Sequence, residues 1–463
     1  MYPSKKLFVG ASILLASALV GYSVYARYFS LSAKLDRYVQ SYVDVQSFSG
    51  TILVAQNGKI LLCKGYGMAN YEHNVPNAPD TKFYLASVGK QFTAMGILKL
   101  VQLGKLGLED TVSKFFPDYP RGKGITVYQL LTHTAGIPDY LNNSVKTDDP
   151  VFQLLLMQPG DTNKTMALFK DRPLEFEPES QYRYSNSGYV LLAAIIEKVS
   201  GKSYEQWLKE TIFTPLGMND TGLMHTVSLL SHRALRYEMT EDGIKNAHYT
   251  DLTSGVGDGS LHSTVEDLYK WDRALYTDVL VSQKLITRMI TPCKEDYCLG
   301  LVSQKILGHH CIWHNGALEG ARAGIYRFID DDVCIIILSN FSSAPVEIMA
   351  GNMAAIIFGQ KPEYTPKKHV AIVVNPEIYD QYVGTYKSDD KKLTFVVTKE
   401  QNKLFTELIE KKDKREAFPE AENEFFLKSV DAQFSFIKNK DGKVTQLILH
   451  QNGQNVPFER VMH

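Results

Sequence analysis

The stretch Phe83-Tyr-Leu-Ala-Ser87-Val-Gly-Lys90 opens a segment, ending at Leu103, whose apolar residues recur at the spacing of a buried helix. Gly104 follows, where a helix C-cap favours a residue that tolerates positive φ. Ser87 lies at the positive end of this predicted helix, and Lys90, three residues later, shares its face. Burial would favour the neutral, basic form of Lys90, which can activate a serine nucleophile. The pattern Ser-x-x-Lys is also compatible with an N-cap serine followed by an exposed lysine.

Two later motifs favour the catalytic interpretation. Arg183-Tyr184-Ser-Asn186 precedes an apolar helix predicted for residues 189–199, and Trp313-His314-Asn-Gly316 precedes a strand-like run. The order Ser-x-x-Lys, Tyr-x-Asn, His-x-Gly resembles that of the serine β-lactamase and penicillin-binding-protein superfamily. The similarity is strongest to the branch of class C β-lactamases, D-aminopeptidases and esterases, and it extends over about residues 48–340.

The resemblance implies a mechanism in which the Ser87 hydroxyl attacks a carbonyl and forms an acyl-enzyme, which water or another acceptor resolves. Lys90 and Tyr184 would share the proton transfers, and the sequence leaves open which of them is the base. If Tyr184 acts as a phenolate, its pKa must fall well below about 10, with Lys90 as the cause. The residues expected to bind substrate are Asn186, His314, Asn315, Gly316 and Ala317.

An oxyanion hole requires two backbone N–H donors, which the resemblance assigns to Ser87 and Ala317. Gly316 would let the backbone approach the substrate with no side chain in the way. His314 stands where the usual penicillin binders have Lys, and Asn315 stands where they have Thr. A neutral imidazole and an amide grip a substrate carboxylate less well than those residues, which argues against strong β-lactamase activity.

Strand-like segments lie at both ends of the region before residue 358, with helical segments between them. This pattern predicts an α+β fold over residues 31–358: one antiparallel sheet flanked by helices, with an inserted helical lobe. Alternating βαβ units and a G-x-S-x-G motif are absent from the sequence, which argues against an α/β-hydrolase. The predicted strands are residues 51–55, 59–63, 298–303, 321–328 and 333–338.

The sequence pattern changes after residues 359–374, which are predicted to be a linker. Short alternating runs follow, with Asp441-Gly442 and Asn452-Gly453 at hairpin turns. They predict an all-β, barrel-like domain over residues 375–463, which resembles the lipocalin-like domain appended to some members of the superfamily. We expect it to have a structural or substrate-shaping role. The predicted strands are residues 384–386, 392–397, 403–408, 433–437, 444–449 and 456–461.

Residues 1–30 have the pattern of an export segment. Lys5 and Lys6 precede an uncharged, largely apolar stretch, residues 7–25, which is long for a signal peptide and just long enough to cross a bilayer. The stretch predicts either a cleaved signal peptide or a retained membrane anchor. In both cases we expect the catalytic part to be exported to an extracytoplasmic, or periplasmic, location.

The charge pattern and the cysteines suggest few further partners. The net charge is −1 and no basic block occurs, which argues against a nucleic-acid partner. His309-His310-Cys311 and His314 are metal-ligand types, but alternation along a strand would separate them, so we expect no metal and no cofactor. Cys293 and Cys298 flank a short loop and are candidates for a disulfide, although the total of five cysteines is odd.

The sequence therefore predicts an exported serine hydrolase that is acylated on Ser87. Its expected substrates are D-amino-acid peptides, β-lactams or esters, with cell-wall-derived peptides among the candidates for a partner. The activity would be that of a D,D-carboxypeptidase, D-aminopeptidase or esterase. The alternative is a catalytically silent, penicillin-binding-like receptor or envelope scaffold that uses the same cleft.

Overall fold

The computed structural model describes residues 30–141, 157–158, 160–225, 227–388, 391–451 and 453–461. The predicted signal peptide or anchor, residues 7–25, lies outside these ranges. Within them, no helix is both long enough and apolar enough to cross a bilayer.

A six-stranded antiparallel sheet forms the centre of the first domain. Strands Gly50–Gln56 and Lys59–Tyr66 form a hairpin at one side, as predicted. Gly50–Gln56 also pairs with a strand from the far end of the domain, so that Gly50 lies opposite Ser339. The sheet is thus built from both ends of the domain, which confirms the predicted α+β fold. In sheet order, the remaining strands are Val333–Ser339, Ala321–Phe328, His309–Leu318 and Val302–Ile306.

Two strand predictions were wrong in detail. The strand expected at residues 298–303 runs instead from Val302 to Ile306, because the chain turns at Gly300 with φ +72°. A side chain at Gly300 would also come within 2.8 Å of the Lys90 carbonyl oxygen, so the turn packs against the Ser-x-x-Lys helix. His309–Leu318 is a fourth late strand, so the His-x-Gly motif lies inside a strand and not before one.

Helices cover both faces of the sheet. One core contains the buried residues of helices Lys90–Gln102 and Asn186–Ser200, and the other contains those of Leu31–Asp44 and Val346–Ile357. Successive residues of the central strands enter different cores because side chains alternate along a strand. The other α-helices are Val112–Phe115, Val127–Leu131, Thr162–Ala167, Tyr204–Leu208, Thr214–Leu216, Val265–Ala274 and Gln283–Ile290.

The N-cap of helix Val265–Ala274 provides a test of this domain's stability. The Thr264 hydroxyl accepts a hydrogen bond from the Asp267 N–H at 3.2 Å. Thr264→Ala is expected to lower the free energy of unfolding by about 1 kcal/mol, measured by urea denaturation. Ser282→Ala is the matched control, because Ser282 begins helix Gln283–Ile290 without a side-chain cap bond. Equal losses in the two variants would contradict this assignment.

The C-terminal domain is a closed barrel of eight antiparallel strands in sequential order. The sequence predicted six of them and missed Asp413–Pro419 and Glu424–Phe426. Aromatic side chains, among them Tyr386, Phe434 and Phe436, fill its core, so the interior is packed and not an open lumen. The other strands are Gly384–Ser388, Leu393–Glu400, Lys403–Leu408, Ala432–Lys438, Val444–Gln451 and Gln454–Arg460.

The barrel contacts the first domain and the connecting segment. The Tyr364 hydroxyl donates to the Asp431 carboxylate, and the Ile372 N–H donates to the Pro419 carbonyl oxygen at 2.9 Å. Glu241 is at the tip of a hairpin formed by strands Tyr237–Thr240 and Gly243–Asn246 of the first domain. Its carboxylate accepts a hydrogen bond from the backbone N–H of Glu416 in the barrel.

All five cysteines are free thiols. Cys293 is exposed, whereas Cys298 is buried and its thiol donates to the Ile290 carbonyl oxygen at 3.2 Å. The candidate disulfide between these two residues is therefore not formed.

Candidate active site

Ser87 lies in a 3₁₀ turn, Ala86–Gly89, that leads directly into helix Lys90–Gln102. The residue at the N-cap of this helix is Gly89, and no side chain caps it. The alternative in which Ser87 is a capping residue is thus excluded by the geometry. Ala86 has φ +46°, a left-handed conformation that favours glycine. The turn therefore presents Ser87 on a constrained backbone.

Lys90 is fully buried, and its ammonium nitrogen makes three hydrogen bonds. Nζ donates to the Ser87 Oγ at 3.1 Å, to the Asn186 Oδ1 at 2.8 Å and to the Asp258 carbonyl oxygen at 2.8 Å. Burial lowers the pKa of Lys90 to about 8, against the opposing effect of the Asp258 and Asp139 carboxylates. The lysine can therefore lose its proton at mildly alkaline pH while in contact with the serine hydroxyl.

Tyr184 lies on the other side of Lys90. The Lys90 Nζ is 4.9 Å from the centre of its ring. The buried phenol hydroxyl makes no well-formed hydrogen bond within the described chain, although the nearby Ser87 hydroxyl favours its ionised form. Burial nevertheless raises the pKa of Tyr184 above its ordinary value. A phenolate at Tyr184 would require a lowered pKa, whereas burial and then the Asp258 and Asp139 carboxylates act in the opposite direction.

Asp139, Tyr140 and Asp258 support the pair of Lys90 and Tyr184. The sequence analysis missed these three residues. Asn186 donates through Nδ2 to both carboxylate oxygens of Asp139, at 3.3 and 3.2 Å, which fixes the amide so that its oxygen faces Lys90. The Tyr140 hydroxyl donates to the Asp258 Oδ2 at 2.8 Å. Burial raises the pKa of Asp258 to about 6, against the effect of Lys90. No spacing to Ser87 or Lys90 marks these residues in the sequence; only the packing brings them here.

His133 packs against Tyr184 and binds the backbone that follows it. Its ring lies 4.2 Å from the ring of Tyr184, and its Nδ1 accepts the Ser185 N–H at 3.1 Å. Burial lowers the pKa of His133 well below its ordinary range, so the ring is neutral. The residue thus holds the Tyr184 side chain and the following backbone in place.

The His309–Leu318 strand passes directly over the Ser87 turn. A Cβ at Gly316 would be 2.1 Å from the Leu85 carbonyl oxygen and 3.1 Å from the Ser87 nitrogen. Only glycine permits this approach, which brings the backbone that precedes Ala317 beside the Ser87 turn. The predicted second donor, the Ala317 N–H, therefore belongs to a strand that packs against the Ser87 turn.

His314 faces the site from the same strand. Its Nδ1–H donates to the Asn315 carbonyl oxygen at 2.6 Å, and its Nε2 accepts from the Tyr297 hydroxyl at 3.2 Å. Burial lowers the pKa of His314 to about 4, so the imidazole is neutral. It supplies polarity without a positive charge.

The structure does not bring the Asn315 side chain to the other site residues. Side chains alternate along the strand, and the Asn315 amide donates to the Glu347 carboxylate on the opposite face. The histidines before it also separate: His309 binds Asp331 at 2.9 Å and His310 contacts Ser303 at 2.9 Å. Within the described ranges, no group of three or more His, Cys, Asp or Glu is placed to hold a metal ion.

Comparison with known proteins agrees with this geometry. Residues 35–357 match the protein family described as Beta-lactamase. The chain belongs to the beta-lactamase family. Residues 368–460 match a domain of unknown function, DUF3471, which corresponds to the barrel region.

A curated relative and two solved structures extend the likeness. Penicillin-binding protein 4* of Bacillus subtilis (strain 168) is 32% identical over 438 residues, covering 88% of this chain and 93% of the relative. The penicillin-binding protein of Bacillus halodurans is 28% identical with a TM-score of 0.61, covering 69% of this chain and 99% of that one. The octameric penicillin-binding protein homologue of Pyrococcus abyssi is 24% identical with a TM-score of 0.63 and shares the fold over 92% of this chain and 99% of its own.

Proposed function

We propose that this member of the beta-lactamase family is a serine hydrolase that forms an acyl-enzyme on Ser87. The observation that carries the proposal is the contact of the buried Lys90 Nζ with the Ser87 Oγ at 3.1 Å. The lowered pKa of Lys90, about 8, supplies the neutral amine that such a step needs. Its substrates would be D-amino-acid peptides, β-lactams or esters.

The proton transfers follow from the two pKa shifts. Neutral Lys90 accepts the Ser87 proton as the Ser87 oxygen bonds to the substrate carbonyl carbon. Tyr184, which keeps its proton, donates it to the leaving group when the scissile bond breaks, and the Lys90 ammonium then returns a proton to Tyr184. The backbone N–H groups of Ser87 and Ala317 would stabilise the oxyanion, and water would release the acyl group.

Neutral His314 limits the choice of substrate. It lacks the charge with which a lysine would attract a carboxylate, and the Asn315 side chain binds Glu347 on the other face of the strand. These two features support a peptidase or esterase in preference to a strong β-lactamase. The apolar residues 7–25 support an export segment, which would place the reaction outside the cytoplasm.

Intact-mass spectrometry tests the acyl-enzyme directly. The protein is incubated with a penicillin, a cephalosporin, a D-Ala-D-Ala peptide and p-nitrophenyl esters, beside the Ser87→Ala variant. We expect a covalent adduct or turnover with at least one acyl donor, and neither with Ser87→Ala.

Ser185→Ala is the matched control, because the buried Ser185 hydroxyl has no hydrogen-bond partner within the described chain. It is expected to be acylated like the wild type. Binding without an adduct or turnover, unchanged by Ser87→Ala, would instead identify a silent receptor.

A further inference from the structure

A cavity of about 230 Å³ lies beside the nucleophile turn and is separate from the Lys90 network. It is smaller than the roughly 300–1,000 Å³ of sites that enclose drug-sized ligands, so it suits a single side-chain-sized group. Among its polar and aromatic lining residues are Tyr84, His225, Arg233, Arg236, Asn246 and Tyr249. We call it the arginine pocket.

Arg236 is fixed in one wall of the arginine pocket. Its guanidinium lies 5.2 Å from the centre of the Tyr84 ring. It donates to the carbonyl oxygens of Glu319 at 3.0 Å, Thr250 at 3.4 Å and His248 at 3.5 Å. These partners orient the guanidinium but carry no negative charge, and among the described residues no carboxylate forms an ion pair with it.

Arg233 adds a second cation to the same cavity. It is half-buried, and in the part of the chain that the structure describes its side chain has no hydrogen bond or ion pair. None of the described lining residues is acidic. His225 does contact a carboxylate, that of Glu205 at 3.0 Å, but Glu205 does not line the cavity. A concave site with two uncompensated guanidinium groups favours an anionic occupant, and a planar carboxylate matches their geometry.

The arginine pocket is close to the reacting groups. Tyr84 precedes Ser87 by three residues, so their Cα atoms are at most about 10 Å apart. On the other side, a Cβ at Gly320 would be 2.5 Å from the Arg236 Cβ. Gly320 follows Ala317 by three residues, so the cavity lies between the nucleophile turn and the end of the strand that carries Ala317.

We propose that the arginine pocket binds a carboxylate group carried by the acyl part of the substrate. This inference rests on the acyl transfer proposed above and adds a preference that His314 cannot provide. It also gives the barrel a role, because Arg236 precedes and Asn246 ends the hairpin whose Glu241 is bound to the Glu416 N–H of the barrel. The barrel thus holds one wall of the pocket.

The test uses matched pairs of esters. The p-nitrophenyl half-esters of dicarboxylic acids of increasing chain length are compared with the same esters in which the free carboxylate is a carboxamide. At the chain length that reaches the pocket, kcat/KM for the carboxylate is expected to exceed that for the carboxamide by about tenfold or more, since hydrogen bonds to charged groups are the stronger ones. Arg233→Gln is expected to reduce this ratio to about one.

Lys105→Gln is the control, because it removes an exposed cation that makes no contact with the pocket. It should keep the wild-type ratio. Equal ratios in the wild type and Arg233→Gln would overturn the proposal. It would also be overturned if both proteins preferred the carboxylate and inorganic phosphate abolished that preference equally in both, because the anion site would then not depend on Arg233.

A separate binding arm distinguishes failure of the pocket from failure of the proposed chemistry. If no ester is turned over, calorimetry with free glutarate and glutaramate on Ser87→Ala still decides the matter. Binding of glutarate alone, lost on adding Arg233→Gln, supports the pocket although the acyl transfer has failed. Equal binding of both compounds, or of neither, overturns it.

Discussion

Replacing Lys90 by methionine is expected to lower the rate of acylation of Ser87 about a thousandfold, the order typical of a lost general base. The methionine is similar in length and fits an apolar environment, but it accepts no proton. Loss of the Lys90 ammonium also removes the positive charge beside the buried carboxylates of Asp139 and Asp258. Asp258, whose pKa is already raised to about 6, is able to take up a proton and limit the loss of stability. Stopped-flow acylation and thermal unfolding measure the two effects separately.

Lys90→Arg separates a base from a mere cation. Arginine keeps the positive charge near the carboxylates but stays protonated at every accessible pH. We expect it to be as slow as Lys90→Met. Activity within a factor of about ten of the wild type would show that the cation alone suffices, and Tyr184 would then have to be the base.

The pH dependence has a definite sign. Protonated Lys90 cannot accept the Ser87 proton, so the wild-type acylation rate should rise with pH and reach half its limit near pH 8, where Lys90 titrates. The rise should be absent in Lys90→Arg. A rate that falls between pH 7 and 9 would contradict the assignment.

Gly316→Ala is expected to lower kcat by about 10²- to 10³-fold, the usual effect of removing one oxyanion donor. The new Cβ would lie 2.1 Å from the Leu85 carbonyl oxygen, which is backbone and cannot move aside alone. The strand must therefore shift away from the nucleophile turn and take the Ala317 N–H with it. Steady-state kinetics with an ester substrate, combined with thermal unfolding, measures the effect.

Gly351→Ala is the matched control for this change. Gly351 lies in helix Val346–Ile357, and a Cβ there meets nothing within 4 Å. Alanine should leave kcat unchanged and stabilise the helix by up to about 1 kcal/mol. If Gly316→Ala kept full activity and stability, the strand would not supply the second oxyanion donor.

The sequence predicted the main sheet because its strands are continuous apolar runs, such as Val333–Ser339, bounded by turn residues. It failed for the barrel strand Asp413–Pro419, whose sequence DKREAFP is mostly charged and shows no clear alternation. That strand is held by its pairing with Lys403–Leu408, which no local pattern reveals. Its identity as a strand is a tertiary effect.

The candidate site was predictable where chemistry is tied to short spacing. Ser87 and Lys90 are three residues apart, and their contact follows from one turn of chain. Asp139 and Asp258 join the site through contacts between distant segments, so their roles could not be derived from spacing. The sequence left open whether Lys90 or Tyr184 is the base, because it does not show the burial that raises the pKa of Tyr184.

The sheet order also determines when the first domain can complete its fold during synthesis. Gly50–Gln56 is made early, yet its partner strand ends at Ser339, so one edge of the first hairpin stays unpaired until almost the whole domain has been translated. The barrel is made after the first domain, but nearly all its strands pair with the strand just before them. It therefore needs mainly local contacts, which form quickly. A nascent chain that stops before Val333 keeps an open edge available for association with other chains.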